Sequence, residues 1–361
     1  MAPTRIGVTA AAGGYTVIIG DRTIDTLGAE MDAAGLGPRR ILVSSPRVWG
    51  FHGPRFRKAG ADRAVVLVDD GERSKNLATV TRVHDALVKA SADRSTVVIA
   101  VGGGVIGDLV GFAAATYLRG IRVVHVPTTL LAQVDSAIGG KTGVNHPLGK
   151  NLIGSFHAPS LVVADPTVLD TLPRREFRAG LYEVIKYGVI SDPSLLDRMR
   201  TTLAAIFARK PEAVAPLVAA CCRIKAEVVS ADEREAGLRR ILNFGHTVGH
   251  ALEAATKYKR FRHGEAVGYG MLAALSIGVA RGVTPSSLYD EVLELITHLG
   301  PLPPVADISP KEALAAIGRD KKVVAGKLHF VAATRRGQTT TLTDVTPKEI
   351  RAALKSLGFR A

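Results

Sequence analysis

Val98–Gly111 reads VIAVGGGVIGDLVG, a run of β-branched and small apolar residues that breaks into Gly102, Gly103 and Gly104 before apolar residues resume at helical spacing. Strand, glycine turn and helix in that order predict one β-to-α unit of a parallel sheet. Glycines let the backbone come close to a ligand, and the free N–H groups at a helix start favour a pyrophosphate. The spacing does not match GxGxxG, so a tight strand-to-helix turn with no ligand also accounts for these glycines.

Working outward, the same rhythm recurs in YTVIIG, RRILVSS, RAVVLVDD, IRVVHVPTT and SLVVADP, with helical patterns such as LATVTRVHDALVKA and GDLVGFAAATYLRG between them. The pattern predicts an α/β fold whose N-terminal domain, residues 1–172, is a Rossmann-like and mostly parallel sheet. From Pro173 the alternation stops. Long helical patterns punctuated by Gly and Pro then predict a mainly α-helical C-terminal domain, residues 173–361, interrupted by one β-hairpin, KLHFVAATRRGQTTTLTDV, with its turn at Arg335–Gln338. Two domains suit a chain of 361 residues, which exceeds the usual reach of a single core. Polar strand ends at Asp69–Lys75 and at Pro127, Thr128 and Thr129 would converge at the carboxyl edge of such a sheet, where a dinucleotide is the natural occupant.

Composition narrows the partners. Hydrophobic residues make up 47% and charged residues 22%, as in a soluble globular protein. Cys221 and Cys222 are adjacent, which gives no disulfide framework and suits a reducing compartment. MAPTRIGVTA at the start lacks a long apolar run, and no stretch approaches about 18 uninterrupted apolar residues, so secretion and membrane spanning are disfavoured and a cytoplasmic location is expected. The formal charge of +14 is scattered along the chain, with only 5% aromatic residues and no basic tail. A solvated basic surface or a multiply anionic small substrate explains it without nucleic acid or a membrane.

Leu242–Glu253, LNFGHTVGHALE, places His246 and His250 four residues apart on one helical pattern, about 6 Å apart along its axis. His263 follows in FRHGEAVGYG, and Glu183 lies in a separate helical segment, LYEVIKYG. A histidine inside a helix is often only a packed core residue, but imidazoles plus one carboxylate suit zinc with an open coordination position. The HExxH protease pattern fails, because Thr247 stands where the general-base glutamate would be. GGKTGVNHPLGKN, Gly139–Asn151, offers Lys141, Lys150 and Asn151 among glycines as point charges for phosphate or carboxylate. It is not a nucleoside-triphosphate loop, since Asp135 occupies the position of the required first glycine. His52, His84, His125, His146, His157, His298 and His329 are read as structural.

DGERSK, GGGVIGD, ATYLRG, PTTLLAQVDSAIGGKTGVN, GKNLIGSFHAP, TLPRREFRAGLYEVIKYG, LNFGHTVGHALE, HGEAVGYGM and DKK follow one another in unbroken order over most of the chain. In these segments the sequence resembles the 3-dehydroquinate synthase family, the sugar-phosphate cyclases of the shikimate route to chorismate and the aromatic amino acids. The resemblance implies zinc, or cobalt in its place, held by Glu183, His246 and His263, with His250 left to act on substrate. Geometry alone would have chosen both helix histidines. The resemblance further implies NAD bound by Asp70, Gly71, Glu72, Arg73, Ser74 and Lys75, and by Gly103, Gly104, Val105, Ile106, Gly107 and Asp108. Thr128, Thr129, Lys141, Lys150, Thr171, Leu172 and Glu176 complete that set. Asp135, Lys141, Asn151, Lys186, Lys225, Arg239, Asn243, His250 and either Lys322 or its neighbour Lys321 are implied for substrate. Arg119 is expected to reach the phosphate from a neighbouring subunit, which implies a homodimer. One departure stands out: Ser44, Ser45 and Pro46 follow RRILV where relatives usually place an acidic or amide residue against the adenine ribose.

The implied reaction is a phosphorus–oxygen lyase reaction on 3-deoxy-D-arabino-heptulosonate 7-phosphate. It comprises transient oxidation by NAD, β-elimination of phosphate, re-reduction, ring opening and an intramolecular aldol step. Arg239 suits the substrate carboxylate through its planar fork. His250 suits proton transfer, an imidazole having an ordinary pKa of about 6.5. The rivals are a metal- and NAD-dependent alcohol or glycerol dehydrogenase, which needs no anion-gripping cluster, and other sugar-phosphate cyclases, against which a carboxylate clamp at Arg239 argues.

Overall fold

Seven strands rich in Val and Ile build the principal sheet: β1 (Thr4–Val8), β2 (Tyr15–Ile19), β3 (Arg40–Ser44), β4 (Ala64–Leu67), β5 (Val97–Gly102), β6 (Arg122–Pro127) and, after a separate hairpin of β7 (Lys141–His146) and β8 (Gly149–Phe156), β9 (Leu161–Ala164). The spatial order is β1-β2-β9-β6-β5-β3-β4, with every pairing parallel except β1 with β2. The computed structural model describes residues 2–11, 13–60, 64–317, 323–324 and 327–360, so Asp320, Lys321 and Lys322 lie outside the described residues.

Helices α1 (Leu27–Ala33), α2 (Pro46–Lys58), α3 (Leu77–Lys89) and α4 (Gly104–Thr116) alternate with these strands. Alternation within β5 shows why the sheet needs cover on both faces: Val98 and Ala100 join a core with Val80, Val83 and Leu109, whereas Val97, Ile99 and Val101 join one with Leu27, Met31 and Phe56. Each fully buried Val or Leu contributes about 1.5–3 kcal/mol. Local signals fix the helix starts. Ser45 accepts a hydrogen bond from the Val48 N–H at 3.3 Å with Pro46 behind it, and Asn76 accepts from the Thr79 N–H at 3.0 Å.

α5 (Arg174–Ile190) and α6 (Ser194–Phe207) belong to a second compact unit, and α7 (Pro211–Ala231) returns to the first. The units are Met1–Pro173 with Ala208–Arg234, and Arg174–Phe207 with Glu235–Ala361. A single boundary after Leu172, as the sequence suggests, therefore misplaces α7. The helix is held by contacts that periodicity does not reveal: the Thr9 N–H donates to Ser230 Oγ at 2.9 Å, the Ala11 N–H donates to Glu233 Oε2 at 2.8 Å, and Lys225 Nζ pairs with Asp135 Oδ1 at 2.5 Å.

The second unit continues with α8 (His246–Ala255), α9 (His263–Ala280), α10 (Ser286–His298), α11 (Pro310–Ile317), β10 (Val323–Val324), β11 (Lys327–Leu328), the β12 (Phe330–Arg335) and β13 (Gln338–Leu342) hairpin, and α12 (Pro347–Ser356). The hairpin anticipated from KLHFVAATRRGQTTTLTDV is present, with Arg335 opposite Gln338. α8 and α9 cross so closely that a side chain at Gly270 would collide with the Gly245 carbonyl oxygen, while one at Gly249 would lie 3.1 Å from Ala266 backbone. Gly245 itself has φ +78°, a left-handed conformation that favours glycine just before α8 begins. Among the described residues no helix is long and apolar enough to cross a membrane.

Candidate active site

Three helices of the second unit bring the anticipated metal residues together. Glu183, on α5, is fully buried. Its Oε1 lies 3.7 Å from His246 Nε2 and 3.6 Å from His263 Nε2. One ligand atom from each of His246, His250 and His263 also falls within a 4.8 Å spread. Both readings of the ligand set share His246 and His263; Glu183 or His250 would be the third member.

The carboxylate tests the fit. Glu183 Oε1 is buried and has no hydrogen-bond partner, an expensive arrangement for a charged oxygen. Its separations from the imidazoles exceed a hydrogen bond but suit a shared ion, since tetrahedral zinc bonds of about 2.0–2.1 Å put ligand atoms about 3.4 Å apart. The other oxygen faces the ammonium of Lys186, which is only 1% exposed. Lys186 thus neutralises the far side of the carboxylate without occupying the near one.

The far nitrogens of the two rings are also held. Phe244 O lies 3.1 Å from His246 Nδ1, and Glu253 Oε2 lies 3.3 Å from His263 Nδ1. Neither oxygen can donate, so Nδ1 carries the proton in each ring and Nε2 presents its lone pair. The α9 start that carries His263 is pinned in turn. Glu265 accepts from the Arg262 N–H at 2.8 Å and takes both arms of Arg175, from α5, at 2.7 Å each. Arg262 Nε pairs with Glu176 at 2.6 Å, Arg239 is buried, and Asn243 donates to Glu235.

The remaining expected residues lie in the first unit: most follow the carboxyl ends of its strands or sit on the β7–β8 hairpin, while Lys225 is on α7 and Arg119 precedes β6. Lys75 is buried and donates to Asp108 Oδ2 at 2.5 Å and to Asn151 Oδ1 at 2.6 Å. Asn145 donates to Glu72 Oε1 at 2.7 Å and accepts from the Asn151 N–H at 3.0 Å, while Lys150 Nζ stands 3.6 Å from Glu72. Burial raises the Asp108 carboxyl, with Lys75 opposing the shift. The β7–β8 hairpin is thereby tied to the Asp70–Lys75 turn, where Asp70, Gly71 and Arg73 are exposed and Ser74 is half-buried. Gly103 and Gly104, with Val105, Ile106 and Gly107 behind them, form the start of α4, and a side chain at Gly103 would press within 2.9 Å of Thr129 Cγ2. Thr128 is buried, with its N–H donating to Gly102 O at 2.9 Å.

Thr171 Oγ1 is 2.9 Å from His52 Nε2, Leu172 is buried, Lys141 is exposed, and Arg119 is exposed with φ +66°. Ser44 Oγ donates to Val101 O at 2.9 Å, so with Ser45 capping α2 both serines of the unusual strand end serve the fold. The sequence reading missed Ser136, whose buried Oγ has no partner and sits where a side chain at Gly104 would meet it at 2.9 Å. An orphaned hydroxyl beside a glycine-rich helix start fits a cofactor phosphate. Asn145 and Glu253 were also missed as individual residues. Two other reactive groups are silent: burial pushes the Cys222 thiol up to about 12 and lowers His125 to about 4.

Residues 65–179 match the model of the 3-dehydroquinate synthase N-terminal family and residues 180–323 that of the C-terminal family. The 3-dehydroquinate synthase of Solibacter usitatus (strain Ellin6076) is 48% identical over 318 residues, covering 88% of this chain and 89% of the relative. Among solved structures, ValA (2-epi-5-epi-valiolone synthase) from Streptomyces hygroscopicus subsp. jinggangensis 5008, with NAD+ and Zn2+ bound, is 31% identical with TM-score 0.87, covering 95% of this chain and 96% of that one. A 2-deoxy-scyllo-inosose synthase complexed with carbaglucose-6-phosphate, NAD+ and Co2+ is 25% identical with TM-score 0.86, covering 98% and 99%. With these matches added to the buried carboxylate–histidine cluster, the chain belongs to the 3-dehydroquinate synthase family.

Proposed function

We propose that the chain converts 3-deoxy-D-arabino-heptulosonate 7-phosphate into 3-dehydroquinate and phosphate; its family relatives are named 3-dehydroquinate synthase. The observation that supports this most is the orphaned Glu183 oxygen facing two imidazole lone pairs, a ready site for a divalent ion. NAD, as in the two similar solved enzymes, supplies reversible oxidation of a secondary alcohol, so the net reaction consumes no redox equivalent. Zinc or cobalt supplies Lewis-acid polarisation of substrate oxygen.

The protein's own residues divide the remaining work. Glu183, His246 and His263 hold the ion, and Lys186 holds the carboxylate that faces it. His250, on the same helix as His246, moves a proton to and from substrate oxygen. Arg239 takes the substrate carboxylate through its fork, and Lys141 offers an exposed charge to phosphate. Glu72, Lys75, Asp108 and the α4 start hold NAD, with Ser136 adding a donor for its phosphates. The small anionic sugar phosphate, rather than nucleic acid, accounts for the basic balance of the chain.

A homodimer and a cytoplasmic location belong to the same proposal. Leu148, Leu152 and Phe156 on the β7–β8 hairpin, and Leu118 beside Arg119, are large apolar side chains exposed in the single chain, an arrangement that favours cover by a second copy. The buried free thiols of Cys221 and Cys222 suit the reducing interior of a cell.

The test is an assay of protein, zinc and NAD with the heptulosonate phosphate. Inorganic phosphate is expected to appear with no net NADH. Steady NADH accumulation with glycerol or simple alcohols, and no phosphate release, would favour the dehydrogenase reading.

A further inference from the structure

We infer that Glu253 is a positioning residue for the metal: it fixes the ligating tautomer of His263 and sets how tightly the ion is held. The inference rests on the reading that Glu183, His246 and His263 are the ligands. Glu253 is 5% exposed, and a carboxylate that deep needs a partner. Its Oε2 stands 3.3 Å from His263 Nδ1, while Nε2 of the same ring stands 3.6 Å from Glu183 Oε1. Two carboxylates thus bracket one imidazole, and only the Glu253 side is at hydrogen-bond distance. The Nδ1 proton points to Glu253, and the lone pair on Nε2 is left for the ion.

The two ligating histidines are therefore supported differently. His246 leans on the neutral Phe244 carbonyl, whereas His263 leans on a charged group that draws on its Nδ1 proton and makes Nε2 a stronger donor. Glu183 would face the ion directly, with Lys186 screening its outer oxygen, whereas Glu253 reaches the ion only through the His263 ring. Losing the Glu253 carboxylate removes the orientation of His263 and the donor strength that it lends to Nε2.

Equilibrium dialysis of Zn2+ or Co2+ against a competing chelator reads the effect directly. Glu253→Ala is expected to raise the metal Kd about 10–100-fold, and Glu253→Gln, which keeps an oxygen acceptor, to raise it less. The metal-free Glu253→Ala protein is expected to melt close to wild type. Because Glu253 acts through His263, adding Glu253→Ala to His263→Ala is expected to weaken binding no further. A wild-type Kd in folded Glu253→Ala, or the full loss recurring on top of His263→Ala, would overturn the inference. Should Glu253→Ala not fold, Glu253→Gln decides: a Kd raised severalfold supports the role and an unchanged Kd refutes it. The ligand reading fails separately, by His263→Ala itself keeping wild-type metal affinity.

Discussion

His246→Ala is expected to leave the protein folded, without its metal and without turnover, whereas His250→Ala is expected to keep the metal and lose only the chemistry. The two histidines share α8, with ring centroids 5.4 Å apart, so they offer a matched pair within one environment. His246 has its Nε2 3.7 Å from the orphaned Glu183 oxygen and its Nδ1 committed to Phe244 O. Lewis-acid stabilisation is worth several kcal/mol, so metal loss should lower kcat/KM about a thousandfold or more. Removing a proton carrier costs about 10²–10⁴-fold, and for His250→Ala the loss should fall on kcat. Metal content by elemental analysis and steady-state kinetics separate the two. Equal metal loss in both variants would mean that the three histidines form the ligand set.

Gly270→Ala should do comparable damage from outside the site. The added methyl would strike the Gly245 carbonyl oxygen and lie 2.9 Å from Gly249 N, and backbone cannot swing aside as a flexible side chain would. Forcing α8 and α9 apart costs about 3 kcal/mol. It also separates His246, at the first position of α8, from His263, at the first position of α9. The expected result is a melting temperature lowered by several degrees together with a raised metal Kd. A folded Gly270→Ala protein with wild-type melting and metal affinity would show that the helices tolerate a wider crossing.

The sequence revealed these elements unevenly, for physical reasons. Strands such as STVVIAVGGG are legible because a buried parallel strand needs β-branched residues on both faces and ends where the chain must turn toward a ligand. β7 and β8 escaped because KTGVNH and GKNLIGSF mix glycine and polar residues with few apolar ones, so they read as a glycine-rich turn. Their role emerges only from long-range contacts such as Asn145 with Glu72. α7 reads like its helical neighbours, and nothing local marks Ser230 and Glu233 as partners of the turn that follows the first strand.

In the site, the i,i+4 histidines were legible from helix geometry. Choosing Glu183 over His250 was not, and came from the family resemblance. Glu253 was visible within LNFGHTVGHALE, but its partner lies ten residues on, across a turn whose path periodicity cannot trace. Ser136 gave no signal of its own, since an orphaned hydroxyl is a property of packing rather than of spacing.

X-ray absorption at the zinc edge of the metal-loaded protein tests the central claim most directly, because outer-shell scattering counts imidazoles around the ion. Two imidazoles with oxygen completing the sphere is the result expected for Glu183, His246 and His263. Three imidazoles, unchanged in Glu183→Ala, would contradict the account and place the ion among His246, His250 and His263.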